Sequence, residues 1–377
     1  MRPFGCFVHH QGRGHAERCA AIAHALPPDR PLVIFCARDD IFPALPPNAR
    51  VVRIPSLFER RGDAATGLDH VPTPATLHCA PLGWPTIRSA MATMARWFDR
   101  ADPALMLCDV SAEVAQLARI CSVPHVCVLQ HGDRGDAAHR AAYDGAAGLL
   151  APFDSRLAQQ EWAPARQAIT CFAGGLGVDT RQIGRDAARR RLGIGGDDEM
   201  VLVMSGGGGD GFSQAPLGVG ARARPGARWI TIGSIRRDWH ATEPANLEHR
   251  GWVEDAAAHI AAADLVVASP GNTTCHQILA AGRPWLAIPE WRYFDEHHRK
   301  AASLAAVNAA SVRPHLPSSA ASWHEALEQT LATHDPVLQR ALIDPQAASK
   351  AATWLESLAG RLWRAPPVVT LAIASGA

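Results

Sequence analysis

The sequence predicts an α/β protein built from two doubly wound, Rossmann-like parallel sheets that face a cleft. Three observations carry that prediction. Short apolar runs alternate with longer helical patterns over most of the chain, and glycine-containing loops follow three of those runs. The irregular stretch CFAGGLGVDTRQIG (171–184) separates two such series. At 377 residues the chain is also longer than one hydrophobic core usually fills.

The elements follow in order. Residues 4–9 read as a strand, 15–26 as a helix and 31–36 as a strand. The stretch GWPTIRSAMATMARWFDR (83–100) is helical, followed by strand 105–108, helix 112–121 and strand 125–129. The second series opens with a helix ending in RRRLGIGGDDE. Strands 200–204 and 228–232, helix 255–263, strand 265–268, helix 273–281 and strand 285–288 come next. Apolar runs this short, bounded by turn residues and separated by helical patterns, are the signature of strands buried on both faces. A helical segment at 345–362 precedes the tail APPVVTLAIASGA, which has no defined pattern.

Composition excludes several classes. With 47% hydrophobic and 19% charged residues the chain is ordinary for a soluble globular protein. A formal charge of +1, with no basic tract, offers nothing to attract nucleic acid. Nine cysteines are scattered without a CxxC pair, as expected of reduced thiols in a cytoplasmic protein. The apolar part of MRPFGCFVHH is too short for a signal-peptide core, and no window offers the ~20 apolar residues of a membrane span. The expectation is a cytoplasmic protein that at most lies on a membrane surface.

In open parallel sheets, ligands bind beyond the carboxyl ends of the strands. Three loops lie there and should converge. HHQGRGHAERC (9–19) turns on Gly12 and Gly14 and places His15 at a helix start. LVMSGGGGDG (202–211) leaves a strand with four consecutive glycines, whose N–H groups suit an anion. No GK[ST] follows it, and no acidic residue stands ~20 positions on, so neither a P-loop nor a dinucleotide fingerprint is present. In DLVVASPGNTTCHQILAAGRPWLAIP (264–289), Pro270 and Gly271 turn the chain and Asn272, Thr273 and Thr274 begin a helix. Free N–H groups, hydroxyls and the positive end of the dipole suit a diphosphate there. A side-chain cap from Asn272 or Thr273 is the alternative use of the same residues.

With the glycine loop come GWVEDAAAHIAAADLVV (251–267), SPGNTTCHQILAAGRP and the polar PEWRYFDEHH (289–298). That order resembles the donor domain of family 28 glycosyltransferases. The loop GRGHAERC resembles both the GxGH loop of that family and the GxGHxxRC loop of the nucleotide-sugar hydrolases of pseudaminic acid synthesis, which share the fold. The resemblance is strongest over residues 1–36 and 200–310. It implies the GT-B fold, with an acceptor-binding domain at 1–178, a donor-binding domain at 179–345, and a final helix in 346–377 returning to the first domain. It further implies that Trp252 and Val253 pack on and read the base of a UDP-sugar, and that Gly207, Gly208, Thr273 and Thr274, with Gly14, Gly271 and Asn272 beside them, cradle its diphosphate. Asp295 and Glu296 match a pair that meets the sugar hydroxyls. Gln277 stands where the family usually has a ribose-binding Glu, so the ribose is held by an uncharged amide. Ser269 replaces the phosphate-binding His of plant-type relatives.

On the acceptor side, Asp109, Glu113, His131 and Asp133 lie near strand ends and are candidates to orient a base or bind acceptor; helix capping by Asp109 or Ser111 is the alternative. In 83–100, Trp84, Ile87, Met91, Met94, Trp97 and Phe98 share one face, favouring a core-packed helix over an interfacial one that would give peripheral membrane contact. No HxxxH, HExxH or DxD motif is placed to hold a metal, and no cofactor is expected. His15 is the expected base, since imidazole with a pKa of about 6.5 takes a proton near neutral pH. The expected activity is inverting, metal-independent transfer of a hexose or N-acetylhexosamine from a UDP-sugar to a small-molecule or lipid-linked acceptor. The alternatives are a nucleotide-sugar hydrolase of the same fold and a non-catalytic nucleotide-binding protein.

Overall fold

The computed structural model describes residues 1–364 except 61, 63, 65, 180–182, 207, 208, 210 and 238–241. Its first sheet contains β1 (Phe4–Phe7), β2 (Leu32–Cys36), β3 (Ala49–Arg53), β4 (Leu105–Asp109), β5 (His125–Val128), β6 (Gly148–Ala151) and β7 (Thr170–Phe172). All neighbours are parallel, in the order β3-β2-β1-β4-β5-β6-β7. The helices α1 (Arg13–Ala25), α2 (Pro85–Ala101), α3 (Ala112–Ile120), α4 (Ala137–Asp144) and α5 (Pro164–Ala168) connect these strands. β1, β2 and β4 are buried along their whole length, which is why they read as unbroken apolar runs. Phe4 and Cys6 face a core shared with α1, while Phe7 faces the opposite core with α2 and α3.

The second sheet repeats the plan. After α6 (Arg185–Leu192) come β8 (Glu199–Met204), β9 (Phe212–Ser213), α7 (Gln214–Ala223), β10 (Ala227–Ile232), β11 (Ile235–Arg236) and β12 (Leu247–His249). Then follow α8 (Ala256–Ala262), β13 (Leu265–Ala268), α9 (Asn272–Ala281), β14 (Trp285–Ala287), α10 (Glu296–Ala306) and β15 (Ser311–Val312). The order is β12-β10-β8-β13-β14-β15, and β9 and β11 form a separate small sheet. In both sheets the first strand lies between its second and fourth neighbours in the winding, so strand order reverses at β1/β4 and at β8/β13. Those two switch points open onto one cleft.

After α11 (Ala320–Ala332) and α12 (Pro336–Ala341), the chain returns to the first sheet as α13 (Ala347–Leu362). Ala351, Leu355 and Leu358 of α13 join Phe4, Leu105 and α1 in one core. Arg30 holds Glu356 through both carboxylate oxygens at 2.6 and 2.7 Å. The outgoing and returning connections touch, because the Asp344 N–H donates to the Gly174 carbonyl at 2.7 Å.

Several expectations need correction. β1 ends at Phe7 and α1 begins at Arg13, so the opening loop keeps its expected length but lies two residues earlier, at 8–12 in place of 10–14. β3, β6, β7, β9, β11, β12 and β15 were not anticipated; β3 lies at the sheet edge with a half-exposed ARVVR pattern that carries no apolar run. The favoured reading of 83–100 holds, since α2 buries Thr86, Ala90, Met94 and Phe98 and packs Ile87, Met91 and Trp97 against the core. The tail at 365–377 lies outside the described residues. Among the described residues no helix is long and apolar enough to cross a membrane, and all nine cysteines are free thiols.

Candidate active site

Between the sheets lies a cleft of about 1310 Å³. Its walls include His9 and Gln11 to His15 after β1, Val110 after β4, Ser205 and Gly206 after β8, and Ser269 and Gly271 to Thr274 after β13. The loops that follow the switch-point strands thus meet as their chain positions require.

Gly12 precedes α1 with φ +86°, a conformation that an L side chain resists. The reason for Gly14 differs. It is already helical, but a Cβ there would lie 2.5 Å from Thr273 Oγ1, so glycine at this position leaves room for that hydroxyl in the first turn of α9 across the cleft. His15 follows, partly exposed, with Nδ1 3.0 Å from Asp109 Oδ2 at the end of β4. Asp109 is 3% exposed. Burial pushes its carboxyl up, but the charges of Arg18 and His15 outweigh that and hold it well below the usual carboxylate range. Val110, the next residue, has φ +66°, an outlier for a β-branched residue and a mark of local strain at the site. His9 packs with its ring centroid 5.6 Å from that of His15 and 4.5 Å from that of Phe58. Burial, then the neighbouring histidines, push His9 down to about 3, so it is neutral at physiological pH.

Across the cleft, α9 starts without a side-chain cap: Gly271 is the N-cap, and Asn272 instead takes a hydrogen bond from Lys300. Among the described residues no side chain caps the first N–H groups of the helix, and they lie at the cleft wall beside the Thr273 and Thr274 side chains. Gln277 lines the same wall one turn on. Trp252, 68% exposed, and Val253 line the far end. Gly206 and Gly209 border the cleft, while Gly207 and Gly208 lie outside the described residues.

The remaining candidates separate. Glu296 lines the cleft but is gripped by Arg134 at 3.2 Å and Lys300 at 3.7 Å, a cluster that joins the two domains. Asp295 pairs with His298 at 2.9 Å and Arg299 at 3.5 Å and is not among the cleft-lining residues. Glu113 is buried away from the cleft, where it accepts the N–H groups of His78 and Cys79 at 2.6 and 2.8 Å and so anchors the 78–79 loop. His131 is fully buried, its Nε2 2.7 Å from the Leu157 carbonyl and its ring 4.2 Å from Phe153. Asp133 is exposed, and its N–H donates to the Phe294 carbonyl of the second domain. None of these three belongs to the cleft wall.

Sequence reasoning missed Arg18, Arg134, Glu290, Arg292 and Lys300. Arg18 shows in the sequence only as the arginine of the GxGHxxRC likeness, Arg134 looks like an ordinary loop charge, and Lys300 shows no local sign of its burial at 2% exposure.

One cluster among the described residues, His78, Asp136 and His139, brings three ligand-type atoms within 4.8 Å of one another. The chemistry opposes a metal. His139 Nε2 lies 3.0 Å from Arg134 Nη1, which only donates, so Nε2 accepts and Nδ1 carries the proton that it gives to Asp136 Oδ2 at 2.5 Å. A metal at Nδ1 requires the opposite tautomer, with its second-shell partner an acceptor.

No protein-family profile and no curated protein sequence matches the chain. Solved structures do resemble it. MurG of Acinetobacter baumannii is 15% identical with a TM-score of 0.59, covering 94% of this chain and 99% of its own. CalG4, the calicheamicin glycosyltransferase, is 17% identical with a TM-score of 0.63, covering 97% and 100%. A Polygonum tinctorium UDP-glucosyltransferase that glucosylates indoxyl is 13% identical with a TM-score of 0.65, covering 97% and 99%. Likeness over nearly the whole of each chain, at identities this low, speaks for shared architecture alone. Two doubly wound parallel sheets with switch points on a common cleft, and a last helix returning to the first sheet, make this chain a protein of the GT-B fold.

Proposed function

We propose that the protein is an inverting, metal-independent glycosyltransferase that moves a hexose or N-acetylhexosamine from a UDP-sugar to a small-molecule or lipid-linked acceptor in the cytoplasm. The observation that carries this reading is a partly exposed imidazole, backed by a buried carboxylate, facing an uncapped helix N-terminus across one cleft. With Nδ1–H donating to Asp109, Nε2 of His15 keeps a lone pair for the acceptor proton. The acceptor oxygen then forms a bond to the anomeric carbon as the bond from that carbon to the diphosphate oxygen breaks on the opposite face. The free N–H groups of α9, with Thr273 and Thr274, stabilise the charge that develops on the leaving diphosphate in place of a cation. Trp252 and Val253 pack on the base, and Gln277 holds the ribose.

A panel of UDP-sugars incubated with cell-extract acceptors, with UDP release and glycosylated product followed by mass spectrometry, tests the proposal. Consumption of a UDP-sugar with product formed supports it; no consumption together with no binding of UDP refutes it. The second reading, a nucleotide-sugar hydrolase, is favoured by Arg18, which completes GxGHxxRC in the opening loop. Stoichiometric UDP and free sugar without any acceptor would select that reading.

A further inference from the structure

Arg18 is an unusual neighbour for a base. Only 5% exposed, it sends one guanidinium nitrogen, Nη2, to three atoms at once: Asp109 Oδ1 at 3.1 Å, Asp109 Oδ2 at 3.0 Å and His15 Nδ1 at 2.9 Å. The position is built in by the backbone. A Cβ on Gly177, in the segment that leaves the first domain, would lie 2.7 Å from Arg18 Cγ and 2.9 Å from its N. Among the described residues Arg18 Nε is buried without a hydrogen-bond partner, so Nη2 makes the side chain's contacts with the His15–Asp109 pair.

His15 Nδ1 has one hydrogen-bonding place and two claimants. It donates to Asp109 Oδ2, leaving Nε2 as a base, or it accepts from Arg18, which moves the proton to Nε2 and removes the lone pair that an acceptor needs. We propose that Arg18 is a positioning residue that holds Asp109 and competes for His15 Nδ1, so that the imidazole rests in two tautomers and an acceptor O–H donating to Nε2 selects the productive one.

Titratable and charged groups surround the pair from both domains. His9 flanks His15 from the end of β1, and Arg13 and Glu17 share the first turns of α1. From the second domain come His276 of α9 and Lys300 of α10; burial pushes both down, and Arg18 is among the cations that add to it. Arg18 thus lies where the base of one domain meets the ligand-facing helix of the other.

The inference rests on His15 as the base, but its test reads the imidazole itself and needs no substrate. Protein labelled with ¹⁵N-histidine is examined by long-range ¹H–¹⁵N spectra at pH 8, the His15 signals being assigned by their loss in His15→Asn. The wild type should populate both tautomers, and Arg18→Met and Arg18→Gln should each shift the ratio at least fivefold toward Nδ1–H. A wild type wholly in the Nδ1–H form, or ratios within twofold of wild type in both folded variants, overturns the proposal. A purely structural role for Arg18 would lower melting temperature without moving the ratio. Failure of UDP-sugar turnover with the tautomer shift intact would instead count against the proposed reaction.

Discussion

His15 and Asp109 stand 94 positions apart in the chain and 3.0 Å apart in space. The first opens a helix after β1 and the second closes β4, and the pairing of these two parallel strands brings them together. Because His15 touches the nucleophile's proton and not the nucleotide, its loss should act on the chemical step. His15→Ala or His15→Asn should lower kcat by ~10²–10⁴-fold, with UDP affinity changed less than about tenfold. Asp109→Asn should follow in the same direction. Steady-state rates and calorimetry check this, and near-normal kcat in His15→Ala at neutral pH places the base elsewhere.

Turnover should persist in excess EDTA, since the uncapped α9 terminus supplies the stabilisation that a cation would otherwise provide. Activity lost on chelation and restored by Mg²⁺ or Mn²⁺ would overturn the leaving-group mechanism.

UDP should bind better than ADP or GDP, because Trp252 and Val253 are proposed to pack on a pyrimidine. Gln277→Glu should keep or improve UDP affinity by restoring a charged ribose acceptor. Titration calorimetry with the three diphosphates decides; a purine preference removes the basis of the uridine assignment.

Gly14→Val should fail differently from His15→Ala. A Cβ alone already reaches within 2.5 Å of the Thr273 hydroxyl, so the branched side chain must displace that hydroxyl from the start of α9 or push the two helices apart. Donor binding and turnover should fall together, whereas in His15→Ala only turnover falls. Unchanged UDP affinity in Gly14→Val would argue that the approach of the two helices does not shape the donor site.

Stability should decline as pH falls from 7 toward 5. Burial pushes His9 and His276 down to about 3 and His139 down to about 4, so the folded protein keeps them neutral. The unfolded chain binds protons at these residues near 6.5, hence more than the folded state below that pH, and stability rises with pH across this window. Each group contributes at most about 1.4 kcal/mol per pH unit. Asp109 acts lower: its lowered carboxyl stabilises the fold above about 3.9, and that contribution is lost only as pH falls further. Scanning fluorimetry should show a falling melting temperature, less steep in His276→Leu. A flat profile between pH 7 and 5 contradicts the account.

Much of this was legible because two kinds of signal agree. Buried parallel strands read as apolar runs, and loops after them are where ligands gather, so residues 12–15 and 271–274 could be placed in one cleft without coordinates. Glu113 and His131 misled for a physical reason. Polarity near a strand end marks a cleft residue or a tether equally well, and only the partner chain segment, 78–79 for Glu113 and Leu157 for His131, decides. Arg18 was visible only as the arginine of a motif likeness, and Lys300 was illegible because its burial depends on Asn272 and Glu296, whose approach to it no local pattern encodes.

The hydrogen bond between the Asp344 N–H and the Gly174 carbonyl has a mechanical consequence. The polypeptide passes between the two domains twice, and the outward and homeward passages are stitched side by side at that point. Drawing the domains straight apart would stretch both passages at once, whereas swinging them about the stitch strains neither. Gly174 and Gly175, with φ of +82° and +103°, form the outward half of this pivot. An opening of the cleft that keeps this bond must turn like a book about its spine, widest at the edge farthest from residues 174 and 344.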